Sequence, residues 1–363
     1  MRIGLLIDTF SFGGAESMIF ETARMLKESG HTPVLFHFGN KYVSDCATKL
    51  NIDHHIIPHH KLYKKAKLLP FFIVRTLYFF KRKQLDVLHS HLISPIFTFA
   101  IVSYLINLKH VGTLHDVYMV EETPKLIWFV KAASWLNTTL VAVSKPMREF
   151  YMKRGEMDSK VIQYIPNFTA KNNQRCNRAE TRRQLNLLDS EIAIFSVGRL
   201  VKLKRFDILI DAMSKIQNNK VRTFIVGNGP EFDKLRVQIE SLGLQKKVSL
   251  LGERDDIEIL LSAGDIFTLT SETEGMSKSI LEALAAGLPV VATNVGGNRD
   301  LIIHGDNGYL LETKCSSELA KRVDQISGDS SLRNLMGNLS IDIVENYYSA
   351  SIFLENHLEL YKS

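Results

Sequence analysis

Two carboxylates stand eight positions apart, Glu274 and Glu282, in the run SETEGMSKSILEALAAGLPVVATNVGG at 271–297. Glu274 lies in a polar turn, and Glu282 lies inside 276–286, a stretch whose pattern predicts a helix. Ser277 has the character of an N-cap residue, and Gly287 with Pro289 beyond it reads as a helix stop. A helix start offers unpaired N–H groups and the positive end of the helix dipole, both suited to anions and sugar hydroxyls. One carboxylate just before that start and another just inside it can both reach a ligand seated there. Carboxylates accept hydrogen bonds from vicinal hydroxyls such as a ribose diol. Upstream, Arg199 and Lys204 follow Gly198. Two cations near a glycine turn suit a diphosphate, Arg as a planar fork and Lys as a point charge. In Gly13-Gly14, Gly14 carries no side chain to keep a phosphate from its amide, although the pair fits a tight turn equally well. His115 follows an apolar run, at what would be the carboxyl end of a strand facing a ligand crevice. A lone histidine there is more commonly a packed residue.

These groups need elements to hold them, and the chain alternates apolar runs with helical patterns. The runs at 2–8, 33–38, 85–90, 111–114 and 140–144 read as strands, followed by others at 191–197, 222–226, 248–252, 266–269 and 289–293. Met18, Ile19, Thr22, Ala23, Met25 and Leu26 share one face at helical spacing, so the opening is a strand–helix–strand unit. Its loop is not G-x-G-x-x-G, which argues against a dinucleotide cofactor. A length of 363 residues fits two domains, and the alternation makes each a doubly wound α/β layer structure. The polar stretch 169–190 reads as the linker between them.

The stretch 271–297 resembles the E-x7-E motif of the retaining glycosyltransferases of family 4, with that family's EALAAGLPVVAT run behind it. Gly13-Gly14-Ala15-Glu16, Thr113-Leu114-His115-Asp116, the segment 161–168, and Gly198-Arg199-Leu200 with Lys204 resemble further family segments, so the resemblance spans nearly the whole chain. It departs at Arg205, where the family has glycine, and at Asn298, near which the family has glutamate. The resemblance implies the GT-B fold, two Rossmann-like domains facing a central cleft. They would be 1–168, completed by a C-terminal helix at about 345–363, and 169–344, with the acceptor mainly on the first and the nucleotide-sugar on the second.

By the same resemblance His115 and Glu274 are the catalytic residues. Gly14, Arg199, Lys204, Ser277 and Lys278 bind the donor diphosphate. Glu282 holds the ribose, Gly252 and Arg254 lie along the nucleoside, and Gly275 and Met276 join His115 at the donor sugar. No D-x-D motif is present, so neither a metal nor any cofactor is expected beside the nucleotide-sugar co-substrate. The expected outcome is retention at the anomeric carbon. No second carboxylate stands out as a covalent nucleophile, which points to front-face attack by the acceptor. UDP is the expected nucleotide, as the family's commonest. Two other classes fit the same features: a nucleotide-sugar epimerase of this fold, and a silent partner subunit, against which the intact site residues argue.

Composition bounds the partners. Lysine and arginine exceed aspartate and glutamate by 45 to 39, a net charge of +6, and the excess is local. Lys61, Lys64, Lys65, Lys67, Arg75, Lys81, Arg82 and Lys83 are interleaved with aromatic and aliphatic residues, with no acid from His59 until Asp86. That stretch fits a basic amphipathic helix on an anionic membrane surface, or a surface helix with a solvated basic face. No nucleic-acid motif accompanies it. The stretch 87–108 lacks charged side chains, but its clean apolar part is too short for a membrane span, which predicts a buried helix. Cys46, Cys176 and Cys315 are far apart, in keeping with a reducing compartment. The apolar run at 3–7 is too short for a signal peptide. These features predict a cytoplasmic enzyme docked on the inner membrane face, using a lipid-linked saccharide acceptor in capsule, O-antigen or exopolysaccharide assembly.

Overall fold

Every strand pairing observed is parallel, as near-continuous apolar strands buried on both faces require. The computed structural model describes residues 1–8, 13–63, 65–169 and 178–363. Phe10, Ser11 and Phe12 of the first loop, Lys64, Cys176 and most of the stretch 169–177 lie outside the described residues. The chain divides into two units, 1–167 with 351–363, and 168–350.

The first unit carries β1 (Arg2–Ile7), β2 (Thr32–His37), β3 (Asp53–Ile56), β4 (Val87–His91), β5 (Lys109–Leu114), β6 (Thr138–Ala142) and β7 (Ile162–Tyr164), in sheet order 3-2-1-4-5-6-7. Alternation sends Leu6, Val34, Phe36 and Leu88 to one face. There they form a core with Phe72 and Phe80 of helix Leu69–Lys81 and with Phe99 and Val102 of helix Ile93–Leu105. The latter is the predicted buried helix, and no described helix is long and apolar enough to cross a membrane. The other face of β4 presents His89 and His91, registered beside Leu5 and Ile7.

The second unit carries β8 (Ile192–Val197), β9 (Val221–Val226), β10 (Val248–Gly252), β11 (Ile266–Leu269), β12 (Val290–Thr293) and β13 (Gly308–Leu311), in order 10-9-8-11-12-13. Its core joins Ile194, Ile225, Ile266 and Val291 of the sheet to Leu209 and Met213 of helix Phe206–Met213 and Val323 and Ile326 of helix Ser316–Gly328. The order reverses between β1 and β4 in one unit and between β8 and β11 in the other. Ligands of doubly wound sheets bind outside the carboxyl ends of the strands at such a point.

Three expectations need correction. The basic stretch is not one helix. Two 3₁₀ turns, His60–Leu62 and Ala66–Leu68, precede helix Leu69–Lys81, because Pro70 suits only a helix's first turn. Lys61, Lys65 and Lys67 therefore lie off the helix that carries Arg75 and Lys81. The described end of the polar linker belongs to the second unit. Arg182 of helix Arg178–Gln184 is buried and donates to the carbonyls of Ala263, Leu188 and Glu191 and to Asp265. The C-terminal helix is Ala350–Lys362 rather than one starting near 345. Helix Ser330–Tyr347 ends first, and Ser349 then bridges Thr169 at the division between the units.

Candidate functional site

In the second unit the loops leaving β8 and β11 are fastened to each other. After β8 the chain runs close under β9: Gly198 donates to the Val226 carbonyl at 3.0 Å. A Cβ on Gly227 would sit 2.0 Å from the Gly198 carbonyl oxygen, so only glycine fits there. The 3₁₀ turn Lys202–Lys204 then hands over to Arg205, whose φ of 50° and ψ of 41° are left-handed. That conformation is natural for the family's glycine and strained for arginine. Arg205 compensates with its side chain, donating to both oxygens of Asp207 and, at 2.5 Å, to Glu272 on the β11 loop. The backbone adds more fastenings. Glu272 N–H donates to the Leu203 carbonyl at 2.8 Å, and the Thr270 hydroxyl donates to the carbonyls of Lys204 and Arg205.

The fastening brings Lys204 to Glu274. The ammonium donates to Glu274 Oε1 at 2.6 Å, and the Ser271 hydroxyl donates to the same oxygen at 2.5 Å. The Glu274 side chain is 9% exposed and that of Lys204 23%, so the pair is desolvated on most sides yet open to a ligand. From the other side the β12 loop presses on the Glu274 backbone. Gly297 N–H donates to the Gly275 carbonyl at 3.0 Å, and a Cβ on Gly296 would fall 1.7 Å from the Glu274 carbonyl oxygen. Gly275, Met276 and Ser277 are buried as the chain enters helix Lys278–Ala285. Ser277 is its N-cap, accepting from Ile280 N–H at 3.3 Å. One turn on, Lys278 lies 3.5 Å from Glu282, both side chains under one-fifth exposed. Asn298, where the family pattern is departed from, is fully buried; it donates to the Thr293 carbonyl and leaves Oδ1 without a partner among the described residues.

Arg199 sits on the same β8 loop as Lys204. Gly252 ends β10 and accepts from Gly227 N–H at 2.7 Å, tying the β10 edge to the β9 turn. Arg254 beyond it forms a forked pair with Asp256 at 2.7 and 2.5 Å. The structure thus gathers Lys204, Glu274, Gly275, Met276, Ser277, Lys278 and Glu282 around one helix start, while Gly252 and Arg254 belong to the β10 edge. Sequence reading named Arg205 only as a departure from the family's glycine and did not single out Thr270, Ser271 or Gly296, the last of which had its signal in the glycine pair at 296–297.

In the first unit Gly14 is exposed and opens helix Gly14–Glu28, whose N-cap Gly13 makes no side-chain cap. Its N–H belongs to the donors that a helix start leaves over. His115 directly follows β5 and is half-buried. Its Nε2 lies 2.9 Å from Nδ1 of His91, and the two rings stack with centroids 5.2 Å apart. Burial lowers the His115 pKa to about 4, so the ring is neutral near pH 7. Sequence reading missed His91; its signal was the alternation His89-Ser90-His91, which puts two histidines on one face of a strand.

Comparison with known proteins follows this geometry. The family model described as Glycosyltransferase Family 4 matches residues 12–170, and that described as Glycosyl transferases group 1 matches 177–341. The chain is 27% identical over 291 residues to N-acetyl-alpha-D-glucosaminyl L-malate synthase of Bacillus anthracis, covering 77% of this chain and 75% of that one. It is 28% identical over 282 residues to UDP-Gal:alpha-D-GlcNAc-diphosphoundecaprenol alpha-1,3-galactosyltransferase of Escherichia coli, covering 74% and 73%. Among solved structures, HepE of Anabaena in complex with UDP and glucose matches with a TM-score of 0.88 at 22% identity over 99% of both chains. WaaG, a glycosyltransferase involved in lipopolysaccharide biosynthesis, matches at 0.74 and 16% identity over 99% of both. The likeness to these structures is one of fold, and the fold is GT-B.

Proposed function

Because the chain belongs to the glycosyltransferases of family 4, we propose that it moves a sugar, with retention, from a UDP-sugar to a lipid-linked saccharide. The observation that carries this reading is the meeting of Lys204 and Ser271 on one oxygen of Glu274, 2.6 and 2.5 Å away, at the β8–β11 switch point. As the glycosidic bond breaks, negative charge grows on the departing diphosphate. Arg199, Lys204 and the helix start at Ser277 and Lys278 stabilise that charge. An ammonium has three N–H groups, so Lys204 can hold Glu274 and still serve a phosphate oxygen. Glu274 then accepts from a sugar hydroxyl beside the backbone of Gly275 and Met276. Glu282 takes the ribose diol, and Gly252 and Arg254 border the base. His115, neutral, holds a further sugar hydroxyl. The acceptor hydroxyl attacks from the face the diphosphate leaves. No metal is invoked, because fixed cations and N–H groups carry the charge.

Two findings support UDP and a lipid-linked acceptor. HepE was solved with UDP and glucose, and the E. coli relative's name specifies a UDP-sugar donor and a diphosphoundecaprenol acceptor. Helix Leu69–Lys81 exposes Phe71, Val74 and Tyr78, with Arg75 and the adjoining Arg82 lying 5.1 and 4.2 Å over the Phe71 and Tyr78 rings. Aromatic residues wrapped by cations suit an anionic membrane surface. We assign the enzyme to the cytoplasmic face of that membrane, in surface-polysaccharide assembly.

Titration calorimetry with UDP, GDP and NAD, on the wild type and on a Lys204→Ala, Glu282→Ala double variant, tests the donor site. One nucleoside diphosphate should bind tightly and lose its affinity in the variant. NAD binding alone, or unchanged binding in the variant, would overturn the reading. UDP release that needs an added acceptor separates a transferase from an epimerase, and a silent subunit would turn nothing over. Flotation with anionic vesicles at low salt tests the docking face; a protein that stays wholly in solution refutes it.

A further inference from the structure

Among the described residues His91 has one hydrogen-bond partner, at one of its two nitrogens. Its Nδ1 is 2.9 Å from Nε2 of His115, while its own Nε2 is buried with no partner among the described residues. Its surroundings leave the ring little freedom. His89, two positions back on the same strand face, stacks on it at 4.3 Å between centroids. His89 is in turn held at both nitrogens, by the Tyr361 hydroxyl and the Thr113 hydroxyl, each at 2.7 Å. His357 of helix Ala350–Lys362 also stacks on His89, at 5.5 Å. The row of rings thus runs from the C-terminal helix across β4 to His115.

A neutral imidazole has one proton for two nitrogens. Burial, reinforced by the neighbouring His115 and His357, pushes the His91 pKa well below the histidine range, so His91 is neutral like His115. A proton on the orphaned Nε2 of His91 would be a buried donor with nothing to accept it, the costlier of the two vacancies. The proton therefore belongs on Nδ1, from where it is donated to His115 Nε2. Because His115 Nε2 then accepts, its own single proton must sit on Nδ1, a nitrogen that makes no hydrogen bond among the described residues. The state of one ring nitrogen is set by what the other is bonded to.

We propose that His91 is a positioning residue that fixes His115 in its Nδ1–H tautomer, so that His115 offers the substrate a hydrogen-bond donor and not an acceptor. The proposal rests on the reading of His115 as a contact to the donor sugar. A donor there engages the oxygen of a sugar hydroxyl and leaves that hydroxyl's proton for another acceptor.

The test is proton–nitrogen correlation spectroscopy on the full chain with ¹⁵N-labelled histidine, the His115 signals being identified by their loss in His115→Gln. The expected spectrum has His115 protonated at Nδ1 at pH 7.5; protonation at Nε2 overturns the proposal, whatever the enzyme's activity. Kinetics give the second reading. His91→Leu should lower kcat roughly 5- to 10-fold with UDP affinity unchanged, the worth of one neutral hydrogen bond. His91→Asn, whose amide can donate from near the place of ring Nδ1, should recover most of that. Equal loss in both variants with native thermal melting, or no loss in either, overturns the positioning role. Failure of the transferase reading would show differently, as a wild type that releases no UDP with any acceptor while the tautomer stands as stated.

Discussion

Replacing Gly296 by alanine should disable turnover by moving one loop. An ideal Cβ at this position lies 1.7 Å from the Glu274 carbonyl oxygen, where real contacts stay at 3.0 Å or beyond. The Glu274 backbone must therefore retreat by at least about 1.3 Å, since close-packed surroundings give little elsewhere. The Lys204–Glu274 bond is 2.6 Å long, and a shift of that size takes it out of hydrogen-bonding range. A misplacement of about 1 Å in a substrate-positioning group costs roughly 100-fold in rate. Acceptor-dependent UDP release should accordingly fall about 100-fold in kcat. UDP affinity should change by less than about threefold, because Arg199 is on the β8 loop and Glu282 is on the helix. The φ of Gly296 is +45°, so alanine also meets backbone strain of about 1 kcal/mol. Gly305→Ala is the control for that strain. Its φ is +96° and its Cβ would meet nothing within 4 Å. Both variants should melt about 2–4 °C lower, and only Gly296→Ala should lose turnover. If Gly296→Ala works as well as Gly305→Ala, the β12 loop does not hold Glu274 and the reasoning fails.

Four further outcomes follow. Lys204→Ala should weaken UDP binding by roughly 10- to 100-fold, the worth of one charge-assisted hydrogen bond, as read by calorimetry. Arg205→Gly should be more stable to urea than Arg205→Ala by about 1 kcal/mol, because both lose the ion pairs but only alanine keeps the left-handed strain; equal stabilities would remove the strain argument. Asp265→Ala should cost about 3 kcal/mol or more, because Arg182 is 4% exposed and loses its only carboxylate partner among the described residues while the Ala193 N–H loses its acceptor; a change below about 1 kcal/mol would contradict this. Burial lowers His115 and His357 to about 4 and His110 to about 3. A folded-state pKa below the unfolded 6.5 gives stability that is complete above pH 6.5 and lost as pH falls toward 4, so unfolding should take up protons across that window. The loss should come first in the first unit, which holds every histidine but His304; a urea midpoint unchanged between pH 7 and 5 would refute it.

Much of this molecule is legible one residue at a time. Strand runs such as Ile266–Leu269 match their predicted bounds, because a strand buried on both faces must be apolar throughout. The start of helix Lys278–Ala285 is visible in Ser277, and its stop in Gly287, which has a φ of +73°. Charged stretches were read less well. Arg178 and Arg182 looked like a solvated linker because nothing local names Asp265, more than 80 positions away, as their partner. The basic run looked like one helix because its charges are continuous, whereas Pro70 decides where the helix can begin.

The site divides along the same line. Residue types and short spacings by themselves determined the family, the doubly wound layering and the roll of polar groups near one helix start, since each of these depends on near neighbours in the chain. Tertiary structure alone decided how those groups are arranged. Lys204 and Glu274 share a hydrogen bond across 70 positions, Arg205 repays a left-handed backbone through Glu272, and Gly296 sets the height of the Glu274 loop. His91 comes to His115 only because β4 and β5 lie side by side in register. Hydrogen bonds and ion pairs depend on distances of about 3 Å between atoms, and such distances between remote residues come into being only when the sheets have formed.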